Sequence, residues 1–156
     1  AAGKSQGIKA CGYRAIESLR LEKGYRAWAG EINTETNPYE AGLGFAVSLK
    51  KDNFHGKAAA LAAQANLTRK LVAITFDDIT CVPFGSEPIR IGEKIVGRIK
   101  SGGQGYTIKK AIAYAYLPIA QTEVGTKVDV EFFGTWRSGV ICAEPLFDPS
   151  NERIRL

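Results

Sequence analysis

The sequence predicts an α+β chain: a mixed region containing helices, followed by a module of antiparallel strands. Three observations carry this reading. From about Ile8 to Glu22 the apolar residues recur at helical spacing. At Asn66 to Arg69 the pattern changes sharply, as at a linker. From Lys70 onward, short strand-like runs alternate with Gly-, Pro- or Asp-bearing turns, without helix patterns between them. That succession describes a small antiparallel barrel or sandwich. With 156 residues, the chain has the size of one domain or of two small ones sharing a boundary.

In the first region, Ile8, Cys11, Ala15 and Leu19 fall on one helical face, and Glu22 is the next position on it. Gly24 stands just past the helix end, where a left-handed residue commonly closes the last turn. Asn37-Pro38 marks a turn, because the residue before proline is pushed out of the α region. Leu43, Phe45, Val47 and Leu49 then alternate, which predicts a strand over 43–49. Lys50 to Asn53 is a charged turn, and the alanine-rich "GKAAALAAQAN" is a second helix by intrinsic propensity. The strand runs are "KLVAITF", "EPIRI", "KIVGRIK", "KKAIAYAYL", "KVDVEFF" and "WRSGVICAE". Gly92-Glu93, between two of them, suits a type II′ hairpin turn.

A chain that is 45% hydrophobic and 24% charged is globular, not disordered. No apolar run approaches the roughly 18 residues a bilayer span needs, and the N-terminus has no signal-peptide core. The three cysteines lack C-x-x-C spacing and read as reduced thiols of a cytosolic or matrix-type compartment. A single histidine, His55, does not build a histidine metal site, so no metal ligands are assigned. The net charge of +5 is spread along the chain, which argues against nucleic acid and favours an anionic small molecule. The chain contains no methionine, and we expect it to be a piece of a longer polypeptide.

Several motifs have plain readings. "SGGQGYTIKK" lacks the G-x-x-x-x-G-K-[ST] order and reads as a glycine-rich β connection whose glycines admit a close neighbour or ligand. Asp77-Asp78 reads as turn-forming, and the lysine pairs as solvated charge. Glu22 stays open between two readings. It is a helix-end carboxylate turned to solvent or paired with Arg26, or it is a buried acceptor held for a ligand's donors. Its place on the apolar face, and the unfavourable macrodipole at a helix C-terminus, favour the second reading. Tyr13, Tyr25 and Trp28 nearby are core or boundary aromatics that also suit a flat heteroaromatic ligand.

The order "SLRLEKGYRAW", "NPYEAGLGFAV", "HGKAAAL", "RKLVAITFDD", "KIVGRIKSGGQGYTIKKAIAYAYLP", "VDVEFFG" and "EPLFDPSNERIR" resembles the C-terminal part of the glycine-cleavage T-protein (aminomethyltransferase) family. Within it, the chain is most similar to the dimethylglycine and sarcosine dehydrogenase branch. The resemblance implies a partial aminomethyltransferase-like α/β lobe over 1–69 and a small antiparallel β-barrel over 70–156. It implies tetrahydrofolate as cofactor, with Glu22 matching the acid that holds the pterin. The cofactor-binding positions are then Glu22, Lys23, Gly24, Tyr25, Lys51 and Arg69. Lys50 or Lys51 falls where some relatives carry arginine, and Glu152 or Arg153 stands where others carry an aromatic residue. The family's catalytic aspartate lies in a preceding lobe outside this chain, so no catalytic residue is expected here. FAD would enter only through a further domain outside it.

The expected function is therefore that of a C-terminal folate-binding fragment of a flavin-linked dimethylglycine/sarcosine-type dehydrogenase. Its partners would be a small-molecule folate and the remaining domains of the parent, with neither nucleic acid nor membrane involved. The expected compartment is cytoplasmic, or the mitochondrial matrix in a eukaryote. The rival functions are the T-protein itself and a ligand-free β-rich interaction module.

Overall fold

A computed structural model describes residues 2–153 and 155. The first α-helix, α1, runs Tyr13–Lys23, shorter at its start than the sequence period suggested. The reason lies in two glycines. Gly7 is left-handed at φ 72° and Gly12 is extended at φ −80°, ψ 163°, so residues 8–12 never enter the helix. Ile8 and Leu19 are accordingly 68% and 58% exposed, and the face drawn through them is not the buried one. The buried face of α1 is Ser18, Leu21 and Glu22. Gly24 closes the helix at φ 72°, as its position implied.

The strand expected over 43–49 is absent. Gly44–Ala46 forms a single 3₁₀ turn, and Phe45 is exposed. Gly42, left-handed at φ 73°, breaks the extended backbone just before it. Upstream, the Asn37 side chain accepts from the N–H groups of Tyr39 and Glu40, which holds 37–43 in consecutive turns. The second helix, α2, is Lys57–Ala65, inside the alanine-rich stretch, and buries none of its residues.

Six strands follow: β1 Arg69–Phe76, β2 Pro88–Ile91, β3 Lys94–Gly105, β4 Lys110–Pro118, β5 Lys127–Phe132 and β6 Thr135–Cys142. They close into an antiparallel barrel in the order β1-β4-β3-β2-β5-β6. The β2–β3 hairpin pairs Ile91 with Lys94 across Gly92-Glu93, and of the two turn residues only Gly92 has positive φ, as a type II′ turn requires. Asp78 accepts from the N–H of Thr80 two residues on, the turn role read from sequence.

Alternation along β1 and β4 sends Val72, Ile74, Phe76, Ala111, Ala113, Ala115 and Leu117 inward, where they meet Ile89, Ile99, Val128, Val130 and Ile141. The opposite face carries Leu71, Ala73, Ile112, Tyr114 and Tyr116, which pack with Leu21 of α1. Both strands are thus buried on both sides, which explains why "LVAITF" and "AIAYAYL" are continuous apolar runs where one-sided strands alternate. The "SGGQG" stretch is the end of β3 itself. A Cβ on Gly103 would stand 2.5 Å from Leu21 Cδ1, and one on Gly102 would stand 2.5 Å from the Pro83 carbonyl. These glycines let α1 and the 83 loop lie directly on the strand. Among the described residues no helix is long and apolar enough to cross a membrane.

Candidate ligand site

The end of α1 is held by three contacts from two parts of the barrel module, β4 and the 147–148 segment. Tyr114 Oη donates to the Leu21 carbonyl at 2.9 Å. Burial pushes that phenol well above its ordinary range, so it stays a proton donor. Phe147 N donates to the Glu22 carbonyl at 3.0 Å. Lys23 Nζ reaches the Asp148 carbonyl and its carboxylate, the latter at 3.1 Å. Burial alone would lift the Asp148 carboxyl, yet Lys23 and backbone N–H groups hold it below its ordinary range.

Glu22 is 1% exposed. Its Oε1 accepts from Thr107 N at 2.7 Å and Ile108 N at 3.1 Å, at the tip of the β3–β4 hairpin. Its Oε2 is buried and has no partner. Among the described residues no lysine or arginine pairs with it; Arg26 lies instead against Glu144. The contrast with Glu31, also 1% exposed, is informative. Glu31 accepts from Arg20 on both oxygens at 3.0 Å, from Ala27 N at 2.8 Å and from Ser101 Oγ. Glu31 is a completed structural anchor, whereas Glu22 retains one unused acceptor out of water, where an unmade hydrogen bond is costly.

Beside Glu22, the residues Lys23, Gly24 and Tyr25 line a cleft of about 460 Å³ with Arg26, Phe45 and Glu144. Tyr25, in this lining, is 56% exposed. Arg26 donates to the carbonyls of Ala41 and Gly24 at 3.1 and 2.7 Å, and to Glu144, and lies 5.1 Å from the Tyr114 ring centre. Burial pushes the Glu144 carboxyl up, and Arg26 offsets this only in part.

Glu22 itself, enclosed under the hairpin, is not part of this cleft's lining, and Lys51 and Arg69 also lie apart from it. Lys51 is exposed in a turn whose carbonyl accepts from Lys57 Nζ. Arg69, at the start of β1, donates to both Glu40 oxygens, at 2.9 and 3.3 Å, and lies over the Tyr116 ring at 5.0 Å. Its pair holds the Glu40 carboxyl below its ordinary range against the upward push of burial. Sequence reasoning did not reach Glu144, Thr107 or Ile108. They sit 118, 85 and 86 positions from the residues they meet, and no local pattern announces such contacts.

Residues 69–148 match the model described as the glycine cleavage T-protein C-terminal barrel domain. The chain belongs to the glycine cleavage T-protein family. Residues 1–51 match the family's GCVT N-terminal domain. The chain is 42% identical over 158 residues to human mitochondrial dimethylglycine dehydrogenase, covering 99% of this chain and 18% of that protein. It is 35% identical to mouse mitochondrial sarcosine dehydrogenase, again over 99% of this chain and 18% of the relative. An aminomethyltransferase of Symbiobacterium thermophilum is 38% identical over 97% of the chain and 41% of its own length. Among solved structures, the glycine cleavage system aminomethyltransferase T from Bartonella henselae superposes with a TM-score of 0.80 at 27% identity, covering 86% of this chain and 38% of that one. The chain therefore spans less than half the length of each of these relatives.

Proposed function

We propose that this chain is the C-terminal, tetrahydrofolate-holding part of a flavin-linked dimethylglycine- or sarcosine-type dehydrogenase. In that reading, residues 1–69 complete an aminomethyltransferase-like lobe and 70–156 form its barrel domain. The parent oxidises a methylated amine with FAD carried by another domain. Folate receives the released one-carbon unit, and in a eukaryote this takes place in the mitochondrial matrix. This chain's contribution is positional, keeping folate where the reactive carbon emerges before water disperses it. By itself it is catalytically silent.

The observation that carries the reading is the buried, unpartnered Glu22 Oε2. A pterin offers N–H donors of the kind this oxygen lacks. Because Oε1 already accepts two backbone N–H groups, the fit is to one ring or amino N–H and not to a parallel pair. Lys23, Gly24 and Tyr25 would border the bound ring. Lys51, whose ammonium is exposed, and Arg69, already balanced by Glu40, would serve the anionic glutamate tail.

The second reading is the aminomethyltransferase itself, favoured by the structural match to a solved aminomethyltransferase. A flavin-binding domain upstream in the parent gene decides for the dehydrogenase, and its absence decides for the transferase.

Calorimetric titration with tetrahydrofolate tests the shared core of both. Glu22→Gln keeps a carbonyl oxygen for Thr107 and Ile108 but turns the free acceptor into a donor. It should weaken folate binding by about tenfold or more, the loss expected when a charge-assisted hydrogen bond is replaced by a donor facing a donor. Equal folate affinity in the wild type and this variant would remove Glu22 from the site. No heat with either would favour the ligand-free interaction module.

A further inference from the structure

Helix α1 has a buried side and, opposite it, a side that exposes large apolar residues. One side, Leu21 with Ser18 and Glu22, is buried against the barrel. The other carries Tyr13, Ile16 and Leu19, spaced three residues apart and so aligned in one ridge, at 76%, 57% and 58% exposure. Only the helix end is covered on that outer side, where Lys23 meets Asp148. Arg14, Glu17 and Arg20 occupy the rest of the helix surface, yet the apolar ridge on its first turns lies bare to solvent. The ridge continues into a groove of about 520 Å³ between α1 and the end of β3, walled by Leu19, Gly103 and Tyr106. Tyr106, at 69% exposure, extends the apolar rim onto the β3–β4 hairpin.

We infer that the Tyr13–Ile16–Leu19 ridge and its groove are the docking surface for the portion of the GCVT N-terminal domain that precedes residue 1 in the parent polypeptide. The inference rests on the reading above of this chain as a C-terminal part. The occupant follows from the family match: α1 lies inside the 1–51 segment assigned to that N-terminal domain. The relatives aligned with this chain are also much longer than it, which leaves room for the rest of the domain. The ridge is therefore the inner side of a helix shared by two layers, with the barrel below and the upstream lobe above. By this assignment the docked lobe sits against the Thr107 side of the hairpin that Glu22 holds, so docking and folate binding share one hairpin.

The test compares the double variant Ile16→Gln, Leu19→Gln in the 156-residue chain and in the full parent polypeptide. In the short chain both side chains already face water, so its melting temperature should move by no more than about 2 °C. In the parent the same pair should lower the melting temperature of the unit containing the barrel by on the order of 5 °C or more, as for polar groups forced into a packed layer. A small shift in both proteins overturns the docking surface while leaving the fragment reading intact. A short chain that is dimeric, and becomes monomeric in the double variant by light scattering, overturns it in favour of a second copy. A parent gene with no upstream GCVT sequence removes the fragment reading and the docking surface together.

Discussion

Replacing Glu22 with alanine removes the acceptor that ties the tip of the β3–β4 hairpin to the end of α1. Two N–H donors lose it, Thr107 at 2.7 Å and Ile108 at 3.1 Å. A hydrogen bond to a charged acceptor contributes about 1.5–3 kcal/mol net. Thr107 is exposed and Ile108 half-buried, so water recovers part of both bonds in the variant. Removing the carboxylate also relieves the desolvation of a charge with one oxygen unpartnered. The net cost should then be about 2–4 kcal/mol, a fall in melting temperature of roughly 5–15 °C for a protein of this size. Glu22→Gln keeps an oxygen for both donors and discards the buried charge, so it should stay within about 1 kcal/mol of the wild type. Thermal unfolding followed by circular dichroism measures both variants, and amide hydrogen exchange at Thr107 and Ile108 localises the effect. An alanine variant that melts like the wild type, with unchanged exchange at those two amides, would show that Glu22 does not hold the hairpin.

Gly102→Ala should destabilise more than Gly103→Ala, because the new methyl meets the fixed Pro83 carbonyl in the first and the movable Leu21 side chain in the second. Denaturant titration should return about 1–3 kcal/mol for Gly103→Ala and a larger loss for Gly102→Ala, and the reverse order would contradict the close approach described. Asp148 and Glu40, both held below the ordinary carboxylate range, contribute stability that is complete above their unfolded values near pH 4 and is lost as pH falls through the lower folded values. Asp148→Asn should therefore lower the melting temperature at pH 7 and narrow its gap to the wild type on acidification below about pH 4. A gap that stays constant from pH 7 to pH 3 would refute the Lys23 pairing as its source.

The barrel was legible because its strands announce themselves singly. Most are short apolar runs with turn residues at their ends, although β3 runs on through the glycine-rich 101–105 that reads as a connection. Gly92-Glu93 sets the hairpin register only as far as the irregularity at Ile89/Arg90. The helix was legible in kind but not in phase. The spacing from Ile8 to Leu19 crosses Gly12, which never becomes helical, so the apparent face joins residues that share no helix. Glu22 is buried all the same, for a reason that lies 85 positions away in the hairpin. The 43–49 segment alternates like a strand, yet Gly42 bends its backbone and the turn held by Asn37 leads into it. Alternation needs a neighbouring strand to pair with, and nothing within the segment states whether one exists. Lys23, Gly24 and Tyr25 share a cleft because they are consecutive; the Glu144 that faces them comes from the far end of the barrel, and only the closed sheet makes them neighbours.

The two-sided burial of β4 has a consequence for how the molecule comes apart. Tyr114 and Tyr116 spend their hydroxyls on the carbonyls of Leu21 and Glu31, both in the segment that precedes the sheet. Trimming the chain back to Arg69 would strand those phenols and wet Leu71 and Ile112, leaving a sticky cylinder in place of a tidy module. The divisions drawn by family boundaries therefore mark ancestry along the gene. The seam that heat or a protease would find lies elsewhere, and these two stretches should melt as one.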